Sequence, residues 1–151
     1  MEQHLILQIH QVHQLKYIPE FEMQYYKIFT LLYTFKEMWE KAAYACQRWL
    51  DIIKRDNEAD RFFTECYMSM GIIKLFTKQK SAGQAYMDKA IELASDKKTY
   101  QLQKASLLDK FQFYEAAVDE YTDVLKATPN DMLTVFMRGL SNFNAGDYQS
   151  A

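Results

Sequence analysis

The chain has 151 residues with 18 basic and 20 acidic side chains, a net charge of −2 and a pI near 5.9, so it lacks the electrostatic footprint of a nucleic-acid or anionic-membrane binder. Hydrophobic residues make up 49% and aromatics 15%, while 4 Gly and 2 Pro leave little punctuation for strands, and a mostly helical chain is expected. At this length one domain buries roughly 68–70% of its unfolded surface, enough for a core without disulfides or a structural metal.

In chain order, residues 2–16 place Leu5, Ile9 and Val12 at helical spacing, with Leu15 just off the stripe. Leu7, Ile9 and Gln11 also alternate, so a strand stays open there. Pro19 suits the first turn of the next helix, 21–35, whose dense apolar residues (Phe21, Tyr25, Ile28, Phe29, Leu32, Phe35) predict burial on more than one side. After a break near Lys36-Glu37, a helix carries Trp39, Ala42, Cys46, Trp49 and Ile53 and ends in the charged run 54–58, where Asn57 can serve as an N-cap. Helices follow at 62–76, at 82–94 with Ser81 as cap, at 99–110, at 113–127 ending before Pro129, and at 132–144 with Asn130 or Asp131 as cap. Ala145-Gly146-Asp147 reads as a final turn. Seven or eight helices joined by turns of about three or four residues imply antiparallel neighbours.

The spacing of small residues adds a period. Gly71, Ala105 and Gly139 are 34 residues apart in turn, as are Gly83, Ala117 and Ala151, and Met87 pairs with Tyr121, and Ala90 with Val124, at the same interval. With Pro129 and Gly146-Asp147-Tyr148 in register, the chain resembles the tetratricopeptide repeat family. The resemblance implies a right-handed all-α solenoid of antiparallel helix pairs, with small residues where the helices touch. It is strongest over 98–151 and fair over 64–97, where Ser95 stands in the proline slot and Lys78 and Lys80 replace the turn glycine and aromatic. The expected organisation is a single domain: an N-terminal segment 1–20, a degenerate hairpin 21–57, repeats 64–97 and 98–131, and a truncated repeat 132–151. A repeat ending at Ala151 would leave an apolar face uncovered, as in a fragment of a longer array or a chain that assembles through that end.

In that family the first helix of each repeat lines a concave binding face. Carried over, the inward positions are Glu65, Met68, Ile72, Leu75 and Phe76, then Thr99, Leu102, Ser106 and Asp109, then Leu133, Phe136, Leu140 and Phe143. The slots that would clamp a terminal carboxylate hold Met68, Ile72, Gln103, Leu133 and Met137, with no cation, so an apolar partner segment is the expected ligand. Packing of the same face against the segment 5–12 is the competing structural reading.

Residues with chemical potential are sparse. His10 and His13 lie one turn apart with His4 nearby, but no thiol or carboxylate at matching spacing completes a metal site, and a solvated face is expected. Cys46 and Cys66 are too few and too scattered for a zinc site or a disulfide framework, which favours a reducing compartment. Asp119, Glu120 and Asp123 read as an outer solvated face, and Lys78, Lys80, Lys97 and Lys98 as a rim. No phosphate loop or nucleophile elbow is present. The start MEQHLILQIHQVHQLK has no basic n-region or cleavage site, and no apolar run reaches the ~18 residues of a membrane span. The expectation is a cytoplasmic, non-enzymatic protein-interaction module, adaptor or chaperone-like, without cofactor or metal. The alternative is an assembly subunit that oligomerises through its C-terminal repeat.

Overall fold

A computed structural model describes residues 2–14 and 17–150, those at 2, 5, 9, 20 and 147–150 by backbone alone. The roles expected of Leu5, Ile9, Leu15, Tyr148 and Ala151 lie outside the described side chains.

All regular structure among these residues is helical: α1 (Glu2–Gln14), α2 (Pro19–Phe35), α3 (Trp39–Arg55), α4 (Asp60–Phe76), α5 (Lys80–Leu93), α6 (Lys97–Lys110), α7 (Tyr114–Ala127) and α8 (Met132–Ser150). The segment left open between helix and strand at the N-terminus is helix.

The turns explain how so few glycines suffice. After α2, α3, α4 and α6 the chain passes through one left-handed residue, Glu37 (φ 57°), Asn57 (50°), Lys78 (61°) and Gln112 (64°) respectively. Each of these turns closes with the same pair of backbone bonds. After α6, Gln112 N–H donates to Asp109 O (2.9 Å) and Phe113 N–H to Leu108 O (2.9 Å), and the equivalent pairs follow α2, α3 and α4. This is the Schellman pattern, which satisfies carbonyls the helix end would leave open. Asn57 therefore terminates α3, and is not the N-cap expected of it. Ser81 likewise lies inside α5, which begins at Lys80. Asp96 caps α6 by accepting from Thr99 N–H (3.2 Å), and Asp131, not Asn130, caps α8 by accepting from Thr134 N–H (3.4 Å) and the Thr134 hydroxyl (2.9 Å). The turn expected at 145–147 does not form: the helix continues through it, and Gly146 keeps a negative φ.

The chain divides into two compact units, Met1–Leu93 and Ala94–Ala151. In the first, α2 packs on α3, α3 on α4 and α4 on α5. Its core joins Ala42, Cys46, Trp49, Leu50 and Ile53 of α3 to Cys66, Met70 and Ile73 of α4. Gly71 and Gly83 are where α4 and α5 meet: a Cβ on Gly71 would lie 2.9 Å from the Gly83 carbonyl oxygen, and one on Gly83 3.0 Å from that of Gly71. Here smallness is a steric requirement, as the 34-residue spacing predicts. The burial expected of α2 is one-sided, however. Tyr25 and Thr30 are buried, whereas Phe21, Ile28, Leu31, Leu32 and Phe35 are exposed, because the helix packs through a single face.

In the second unit α6 packs on α7 and α7 on α8, around Ala105, Leu108, Ala117 and Tyr121, with Leu102, Phe113 and Met137 against them.

Candidate interaction surface

α8 is amphipathic in an unusual sense, because its inward face is largely polar and its outward face apolar. Thr134 and Ser141 are buried, one side turn after another with Met137, which packs on the α6–α7 core. The Ser141 hydroxyl donates to the Asp109 carboxylate at 2.7 Å, and the Tyr121 hydroxyl donates to the same carboxylate at 3.1 Å. One acid on α6 thus ties α7 and α8 together. Burial, then the adjacent Asp109 charge, pushes the Tyr121 phenol above its ordinary range, so it stays a donor at any physiological pH. With the inward face held this way, Leu133 (70% exposed), Phe136 (64%), Leu140 (44%) and Phe143 (64%) form a stripe on the other side at the three-and-four spacing of one helix face.

The remaining positions expected to line a groove fare differently. Met68 and Leu75 are buried in the first unit and Ile72 is half-buried, because α4 packs against both α3 and α5 and has two covered faces. Phe76 is half-buried and stacks on Trp39 with ring centroids 4.7 Å apart. Glu65 is exposed and paired with Lys27 at 2.6 Å. Leu102 packs on the α6–α7 core, Ser106 is exposed, and Asp109 is engaged internally as above. The apolar surface expected across three helices is therefore carried by α8 alone among those positions. Gly139, expected to be small for a helix contact, has no described atom within 4 Å of where its Cβ would stand, and neither has Gly146.

A second apolar face, not anticipated, lies on α2, where Phe21, Ile28, Leu31 and Phe35 are exposed at seven-, three- and four-residue steps. Phe35 is 86% exposed.

Two polar arrangements also escaped the sequence. Lys104 is buried and ion-pairs with Glu120, which is thus a partly covered counter-ion and not part of a solvated acidic face. Asp123 does stay at the surface, paired with Lys126 at 2.9 Å. His13 is half-buried on α2, with Nδ1 2.7 Å from the Tyr25 hydroxyl and its ring stacked on Phe29, while His4 and His10 are exposed beside Gln8 and Gln14. Among the described residues no three His, Cys, Asp or Glu side chains gather as a metal site would require, and no helix is long and apolar enough to cross a membrane.

The class that these observations define is an all-α protein whose helices pack in sequence from α2 to α5 in one unit and from α6 to α8 in the other, bearing exposed apolar faces. No protein-family model matches the chain, and no curated protein matches it.

Proposed function

We propose that the chain is a tetratricopeptide-like, non-enzymatic interaction module of the cytoplasm, an adaptor or chaperone-like subunit that holds an apolar helical segment of a partner protein on the outward face of α8. The observation that carries this reading is the stripe Leu133, Phe136, Leu140 and Phe143, large apolar side chains left in water on a helix whose polar face is turned inward. Contiguous exposed apolar surface of this kind is costly to keep unless something covers it. A stripe at helical spacing suits a partner helix laid along it. Support for the family comes from the 34-residue lattice, since Gly71 and Ala105, Gly83 and Ala117, Met87 and Tyr121, and Ala90 and Val124 are all buried, and Lys78 and Gln112 share the left-handed turn position.

The test is capture from the native host with the wild-type chain and with Phe136→Asp/Leu140→Asp. The expected outcome is a discrete partner retained by the first and lost by the second, with circular dichroism and melting unchanged. Retention by the variant sinks the reading, and loss with Ile28→Asp/Phe35→Asp instead moves the surface to α2. Sedimentation of the chain alone at rising concentration reads the alternative: self-association abolished by the α8 charges identifies an assembly subunit.

A further inference from the structure

We propose that Cys46 and Cys66 are a redox modification site, two thiols that an external small-molecule disulfide converts to one intramolecular disulfide stapling α3 to α4. Their sulfurs lie 3.9 Å apart in the core of the first unit, and neither is exposed to solvent. The geometry is reciprocal. Cys46 Sγ reaches to 3.6 Å from the Cys66 carbonyl oxygen, and Cys66 Sγ to 3.6 Å from that of Cys46, so each side chain points across the helix pair at the other residue's own backbone. Cysteines whose side chains diverge cannot be bridged without moving the backbone; these converge. A disulfide needs the sulfurs at about 2.05 Å, so from 3.9 Å each must move by roughly 1 Å.

The chemistry balances without a metal or electron carrier. One cysteine, as thiolate, attacks the external disulfide and releases one small thiol; the second displaces the other from the mixed disulfide. Two cysteine thiols are oxidised, one external disulfide is reduced to two thiols, and the two cysteine protons end on those thiols. The chain has 2 Cys, so the intramolecular product has one possible pairing. In the closed core the hydrogen bond shared with Cys46, together with burial, holds the Cys66 thiol far above its ordinary range. Cys66 therefore rests as a thiol, and exchange begins when α3 and α4 separate transiently. Once formed, the bond restricts the unfolded chain and makes the stability of the first unit depend on redox state.

The full chain is treated with oxidised glutathione in urea, where both thiols are accessible, and the urea is then removed. The expected product is two hydrogens lighter, has no alkylatable thiol and yields a single cross-linked peptide containing positions 46 and 66. It recovers the helicity of the reduced chain, and its urea midpoint is higher, a shift that dithiothreitol reverses. Incomplete recovery of helix, or a lower midpoint, overturns the proposal by showing that the native core rejects the bond. In native buffer, closure should be slower than in urea and give the same monomeric product; glutathione adducts or covalent dimers as the main species also overturn it. Cys66→Ser should give no closed monomer in either condition.

Discussion

Gly71 and Gly139 stand two lattice periods apart inside helices, and their surroundings are opposite. A Cβ on Gly71 would meet Met87 Cγ at 2.6 Å and the Gly83 carbonyl at 2.9 Å, of which only the first can swing away. Gly71→Ala should lower stability by about 1–3 kcal/mol through overpacking. Gly139→Ala meets nothing described within 4 Å and should raise it by about 0.5–1 kcal/mol, the helix-propensity gain alone. Chemical denaturation of the two variants beside the parent measures both signs. At this scale the sequence was readable where a steric rule imposes a period, as at Gly71, Gly83, Ala105 and Ala117. It was not readable at Lys104 and Glu120, because a lysine on a helix looks solvated until a neighbouring helix covers it, and nothing local announces that cover.

The elements themselves follow local chemistry closely. Apart from the end of α8, helix ends were legible to within a few residues because Pro19, Pro129 and the polar turns punctuate them, and Asp131 shows why a cap fixes a start. Its carboxylate takes Lys98 Nζ at 2.7 Å as well as the Thr134 hydroxyl and amide. The lysine first, then Thr134, hold it down at about 2. An unfolded aspartate titrates near ~3.9, so the folded group has the lower value and its contribution is fully present above about pH 4 and fades as the pH falls toward 2. Asp131→Ala should therefore lower the melting temperature at neutral pH, and the gap should narrow progressively below pH 4; a constant gap down to pH 2 would contradict the assigned cause. The turn expected at Gly146 is absent for a physical reason. Glycine permits a left-handed exit but does not compel one, and here α8 continues through it, while Lys78 and Gln112, which have side chains, take that exit at the equivalent positions.

For the whole molecule, helix content and the order of helices were legible, since a 3.6-residue apolar period and short turns leave few alternatives. Which faces end up covered was not. Dense apolar residues on α2 predicted two-sided burial, yet one side is in water, and the apolar positions of α4 predicted a surface, yet Met68 and Leu75 are core. Periodicity names a face; only the neighbours decide whether it is interior. The proposed partner-binding face follows from that distinction, because α8 alone among the expected lining helices keeps its apolar stripe exposed.

The left-handed turns carry a practical consequence for studying that stripe. Glu37, Lys78 and Gln112 are exposed side chains in a conformation that costs an L-residue roughly 1 kcal/mol and costs glycine almost nothing. Replacing the three by glycine should add up to about 1 kcal/mol each, summing because the turns are separate, and would be read as a rise in denaturant midpoint. None of the three belongs to the α2 or α8 apolar faces. The triple variant would be a toughened background in which charges can be placed on either face, and any loss of partner then reports on contact and not on a chain driven toward unfolding.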